Sequence, residues 1–499
     1  MARRTAHAAL TPCSLVVQKP LSISVLMTSS QPRSRRPSTP VTAPPEPDLS
    51  SLNACVEDTI KAYQVKDDGP PEPANFASLQ QRLNAALPKL PPAYQKGVAA
   101  PLLAWINHLG PRGFERLLAQ DPQRASNAGA LLDVAQGVLQ RAEGYRRNAT
   151  RAFQEMVSDL YAGFLSEEDR AGVKEPDRGI LPPLVKWGPS ESGPYTWPVD
   201  TLEEIGAEAA VVHLPASHTR LGLLGWSTLG HETAGHDILG ADTGLREELT
   251  MLVDTALRQA KLQRLASYWS QRMDETASDV LGLLNIGPAA GIGLIGYFRG
   301  LREAWEHSPT LSNNGSAEDS HPADILRGYL AAATVRLLDF SARNAWAKAI
   351  ENETERDLSQ IVLEGKPVKS TDAAVSAQIV AKAIAASPLR SLEKHRLLDI
   401  QNWSDEDESM AARIRKTLAE GSADSTPPGT YAAHAVAAAV TLAASSHGQP
   451  ALLLRRLIDT LSGMHDRNPD WGPRSIRLHL AMHRHPFLFR TGSMIPHHD

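Results

Sequence analysis

Gly225-Trp226-Ser227-Thr228-Leu229-Gly230-His231-Glu232-Thr233-Ala234-Gly235-His236-Asp237 holds two histidines five residues apart, with a glutamate directly after the first. On a helix, His-Glu-x-x-His presents both imidazoles on one face, where they bind one zinc ion while the glutamate acts on its water. Here the second histidine comes one place late. At about 100° per residue, a five-residue step leaves His231 and His236 about 140° apart around an ideal α-helix, too far to share an ion. A single π-turn absorbs the extra residue, and such turns concentrate at functional sites. Gly235 suits that distortion. Without a second signal the pair would be ordinary helix residues in a chain with 17 histidines.

Working downstream, the second signal is Met273-Asp274-Glu275-Thr276-Ala277-Ser278-Asp279-Val280-Leu281-Gly282. Glu275 and Asp279 are four apart and share one helical face. Two carboxylates beside the apolar run Val280, Leu281, Leu283 and Leu284 need a partner for their charge. Further on, Asp319-Ser320-His321-Pro322-Ala323-Asp324-Ile325-Leu326-Arg327-Gly328-Tyr329 has a histidine and a proline at a helix start. His321, Arg327 and Tyr329 are the candidate donors to a substrate or an oxyanion. Upstream, Ala209–Leu214 has the clearest β character in the chain and immediately precedes the His-Glu stretch. His213 and His218 read as spare histidines.

The second stretch resembles the third-ligand helix of thermolysin-type gluzincin metallopeptidases. That resemblance implies Glu275 as the third zinc ligand, Asp279 as the residue that orients a zinc-bound histidine, and Ala209–Leu214 as an edge strand for an extended peptide, with an internal strand or a short connector as the alternative. The lengthened His231-Glu232-Thr233-Ala234-Gly235-His236 is similar to the zinc helix of the dipeptidyl peptidase III family. Asp274-Glu275-Thr276-Ala277-Ser278-Asp279 matches that family's second acidic motif only loosely, starting with Asp where the family has Glu. A metzincin-like arrangement would use Asp242, six residues beyond His236, as third ligand instead, although Gly240 is one place displaced for it. A di-iron bundle is disfavoured, because it needs Glu-x-x-His pairs and Gly235 stands three places after Glu232.

With 499 residues the chain is long enough for two or three units. Lys and Arg total 51 against 56 Asp and Glu, a net charge of -5, which gives no reason to expect nucleic acid or an anionic membrane as partner. Cys13 and Cys55 are the only cysteines, so chemistry beyond residue 55 has no thiol. Aromatics make up 5% of the chain, and Ala and Leu dominate the apolar set, favouring helices. Apolar spacing predicts helices from Phe76 to Leu165. Residues 280–298 and 426–454 lack charge, but Pro288 with its glycines breaks the first, and the second reads as a packed hairpin. Gly291-Ile292-Gly293-Leu294-Ile295-Gly296 matches a dinucleotide fingerprint without the preceding strand, so its glycines are read as helix-packing contacts. The Arg- and Ser-rich, acid-poor start reads as a disordered tail, with an organellar transit peptide or translation from Met27 as alternatives. A continuous secretory apolar segment is not seen, so a cytoplasmic location is expected. His483, Arg484, His485, His497 and His498 read as a solvated basic tail.

Together these readings predict a mainly α fold with a small β element. The expected division is a disordered segment over residues 1–75, a helical domain and connector over 76–192, and a metallopeptidase-like helical domain over 193–499. The expected function is hydrolysis of a peptide or protein substrate by a Zn2+ enzyme. His231, His236 and Glu275 hold the metal, Glu232 is the general base, His321 also serves catalysis, and Arg327 and Tyr329 bind substrate. A helical scaffold with structural or absent metal, or a zinc hydrolase of non-peptide amides, is the competing reading.

Overall fold

A computed structural model of the chain describes residues 46–165, 172–174, 176–178, 181–421, 427–446 and 448–471. The expectations for the N-terminal tail, Cys13, part of the connector after Glu167, and the His-rich C-terminal tail fall outside these residues. The protein is mainly α, 67% helical, with two small three-stranded sheets among the described residues. Local sequence accounts for many helix ends. Asn75 caps Phe76–Ala86 by accepting from the Ser78 amide. Ser404 and Asp407 form a capping box at the start of Asp405–Glu420, and Gly144 and Gly421 end their helices at positive φ. Residues 52–64, within the stretch expected to be disordered, are a helix whose Leu52 and Cys55 join the main core.

The sheet beside the candidate site contains β1 (Leu184–Gly188), β2 (Tyr195–Trp197) and β3 (Val211–Pro215) in the order β1-β3-β2. β3 is parallel to β1, with Val212 opposite Val185, and antiparallel to β2, with Val212 opposite Thr196. This corrects the expected strand position: 209–214 is not an edge, because β3 lies in the middle, and the edge next to the His-Glu helix is β2. All five β3 residues are buried, which fits a strand with neighbours on both sides.

The sheet also separates two cores by the two-residue period of its strands. Val185, Trp187, Val212 and Leu214 enter the main core, whereas Leu184 and Val211 join a second core under helices Phe76–Ala86 and Asn127–Glu143. β1 precedes residue 193 and β2 and β3 follow it, so one sheet spans the expected domain boundary. The described residues, from 46 to 471, belong to one compact unit.

Helix Met273–Ile286 lies along the His-Glu helix at unusually close range. A Cβ on Gly235 would stand 2.5 Å from Ser278 Cα, and one on Gly282 would stand 3.0 Å from the His231 amide nitrogen. Gly287, at φ 66°, separates this helix from Pro288–Glu306. The fingerprint-like glycines sit inside that second helix, where a Cβ on Gly296 would stand 2.5 Å from Leu224. Helices Ala432–Ala444 and Pro450–Asp466 form a packed hairpin. No helix among the described residues is long and apolar enough to cross a membrane.

Candidate metal centre

Residues 229–241 start as α-helix, pass through a π-turn at Glu232–Asp237 and return to α-helix at Ile238–Ala241. The wider turn takes up the fifth residue and brings both imidazoles to one side. The Nε2 atoms of His231 and His236 are 3.1 Å apart. Glu275 closes the set, with Oε2 3.1 Å from His231 Nε2 and Oε1 3.6 Å from His236 Nε2. Neighbouring ligands of a four-coordinate zinc stand about 3.3 Å apart, given bonds near 2.0–2.1 Å. His231, His236 and Glu275 are also the described metal-type donors whose ligand atoms all lie within 4.8 Å of one another.

The outer nitrogens show which way the inner ones are used. His231 Nδ1 lies 2.8 Å from Asp279 Oδ1, and His236 Nδ1 lies 2.8 Å from Asp274 Oδ2. Each carboxylate accepts the Nδ1 proton, which turns the Nε2 lone pair inward, the carboxylate–histidine pairing typical of metal-binding imidazoles. Two lone pairs and a carboxylate then crowd one small volume, so a positive charge has to sit among them. Without a cation that charge is a proton. Burial opposes it, but the carboxylates of Asp279 and Glu275 raise His231 to about 10. Burial would raise Glu275, yet His231, His236 and His321 hold its carboxyl well below the usual range. Glu275 Oε2 is buried and makes no well-aligned hydrogen bond. Donor chemistry, spacing and this orphaned oxygen all fit a divalent cation.

Arg327 secures the arrangement from behind. Its Nε and Nη2 donate to Asp279 Oδ2 and Oδ1 at 2.7 and 2.8 Å, and both side chains are almost fully buried. The expectation that Arg327 binds substrate is therefore corrected: the guanidinium holds Asp279, which holds His231. Tyr329 is also displaced from its expected role. It is buried on helix Asp324–Val335, in the field of Glu355 and Glu351 on the neighbouring helix Arg343–Arg356. Asp242 is buried with Lys174 Nζ 3.1 Å away and does not belong to the cluster, so Glu275 and not Asp242 meets the imidazoles. His213 Nδ1 donates to the Gly193 carbonyl oxygen, 2.7 Å away, and the ring stacks on Tyr195. His218 packs against Tyr63 and Tyr297.

His321 does face the cluster. Its Nε2 is 3.3 Å from Glu275 Oε1, Asp319 orients its Nδ1 at 2.9 Å, and the side chain is 53% exposed, at the mouth of the site. Glu232 is buried one residue along from His231, and its Oε2 accepts the Thr196 hydroxyl of β2 at 2.8 Å. Close by, the hydroxyls of Tyr63 and Tyr297 hydrogen-bond each other, and the Glu232 charge acts on both. Sequence reasoning missed Thr196, Tyr63 and Tyr297, which come from distant segments and carry no motif. Asp274 was visible beside Glu275, but on an α-helix it points about 100° away. It gains its role because the π-turn brings His236 round to it.

Fold and centre together define a mainly α-helical chain with a buried two-histidine, one-glutamate cluster of metal-ligand type. Comparison with protein-family models, with curated proteins and with solved structures gives no match for the chain.

Proposed function

We propose that the chain is a zinc-dependent hydrolase of peptide bonds, related in the design of its site to the gluzincin peptidases. The observation that carries this reading is the convergence of two Nε2 atoms, each backed by a carboxylate on Nδ1, upon Glu275 with Glu232 at their side. A zinc ion held by His231, His236 and Glu275 would polarise a carbonyl and make water a better nucleophile at neutral pH.

The chain's own residues have separate tasks. Thr196 fixes one oxygen of Glu232, and the other makes no hydrogen bond among the described residues, leaving it to accept a proton from attacking water. The same carboxyl then hands the proton to the leaving amine. His321, aimed by Asp319 and reachable from solvent, hydrogen-bonds the substrate at the mouth of the site. β2 favours a peptide over another amide: it is the edge of its sheet, Thr196 connects it to Glu232, and an extended chain can pair with such an edge.

Metal analysis and assays on a peptide library test the proposal. One zinc per chain is expected, lost in His231→Ala and in Glu275→Ala, while Glu232→Gln keeps zinc and loses peptide hydrolysis by about 100-fold or more. Retention of full activity by Glu232→Gln would remove the general base. Retention of full zinc by Glu275→Ala would remove the ligand set.

A further inference from the structure

Away from the His-Glu cluster, the connection between helices Asn127–Glu143 and Arg147–Leu165 borders a cavity of about 390 Å³. Arg141, Arg147 and Arg151 line it. A neighbouring hollow of about 440 Å³ shares Arg141 and Arg147 and adds Lys89 and Trp471.

Among the described residues, Arg141, Arg147 and Arg151 form one ion pair between them. Arg141 forms no ion pair among the described residues; its guanidinium meets His465 Nε2 and lies 4.4 Å over the Trp471 ring. Arg147 has neither a hydrogen bond nor an ion pair from its side chain among the described residues. Arg151 reaches Asp466 at 2.8 Å, but that carboxylate is 56% exposed. Glu143, on the cavity wall, is turned to Arg82, with Arg82 Nε 2.7 Å from its Oε1. Asp470, on the wall of the second hollow, forms no ion pair with the arginines.

The crowding acts on the buried groups. Burial, followed by the charges of Arg151 and Arg147, lowers Arg141 to about 10, with Tyr94 and Asp466 offsetting part of the effect. Burial, followed by the charges of Arg141 and Arg151, lowers His465 to about 3, leaving it neutral as the acceptor for Arg141. Helix Arg147–Leu165 begins here without an acidic residue in its first turn, so the positive end of its dipole adds to the same field.

We infer that this cavity is a binding site for a small organic phosphate. Guanidinium groups hold phosphate oxygens two at a time, and a doubly charged monoester balances more of the cluster than a single carboxylate would. The volume exceeds what a phosphate group fills, and the Tyr145 ring lines the remaining space, which suits a carbon skeleton.

Calorimetric titration of the full chain with glycerol 3-phosphate, ribose 5-phosphate and adenosine monophosphate tests the site, with ionic strength held constant by chloride. At least one is expected to bind saturably. Arg147→Ala, at an exposed position, is expected to weaken that binding by about tenfold or more, and Arg141→Gln by a larger factor. Glu275→Ala, which alters the metal cluster, is expected to leave it unchanged. Should Arg141→Gln fail to fold, Arg147→Ala still decides. Absence of saturable binding by all three, binding that survives Arg147→Ala, or binding abolished by Glu275→Ala overturns the inference.

Discussion

At the residue scale, the decisive contacts are those that orient the imidazoles. Asp279 and Asp274 do similar work on His231 and His236 in different surroundings: Asp279 is buried under Arg327, whereas the Asp274 side chain is 45% exposed. Arg327→Met would leave the Asp279 carboxylate buried with His231 as its remaining partner. A stability loss of about 3–5 kcal/mol is expected in urea unfolding, since removing one member of a buried pair strands the other charge. Metal affinity should fall about 10- to 100-fold in competition with a chelator. Asp274→Asn should lower metal affinity by about tenfold with little change in stability, because water can replace the lost contact. Equal stability losses in the two variants would contradict this division of labour.

At the scale of elements, Gly235 has a different role from the one its sequence position implies. Its value lies less in backbone freedom than in the absence of a side chain where the His-Glu helix meets Ser278. Gly235→Ala should force the two helices apart, at a cost of about 1–3 kcal/mol from overpacking. It should also weaken metal binding, because Glu275 rides on the displaced helix. Metal titration alongside thermal unfolding checks both effects. Wild-type metal affinity in a folded Gly235→Ala protein would show that the helix contact does not position Glu275.

Across the whole molecule, burial of histidines ties stability to pH. His218 is buried with Nε2 unpartnered, and desolvation lowers it to about 3; burial also lowers His465 to about 3 and His213 well below its ordinary value. In the unfolded chain each titrates near 6.5. Above that pH none of them makes stability pH-dependent. As pH falls below it, the unfolded chain gains protons that the fold refuses, so each histidine removes about 1.4 kcal/mol per pH unit until its folded value is reached. Buried Asp237, raised to about 8 chiefly by desolvation, acts in the opposite sense. The difference between variants isolates one group: His218→Gln should flatten the stability curve between pH 6 and pH 4 by about 1.4 kcal/mol per pH unit. Parallel urea-unfolding curves would mean that His218 is not held neutral by the fold.

The helical class, the break at Gly287, the five-residue histidine step with its need for a π-turn, and the pairing of Glu275 with Asp279 on one face were all legible in the sequence. Each depends on local geometry, where dihedral preferences and the spacing of apolar and charged residues along one helix suffice. The tertiary structure decided which acid meets the imidazoles, that β2 rather than β3 forms the sheet edge, that Arg327 holds Asp279, and that Tyr329 is buried. It also brought Thr196, Tyr63 and Tyr297 to Glu232. These arrangements depend on which distant segments pack together, and residue spacing within a single segment does not encode its neighbours.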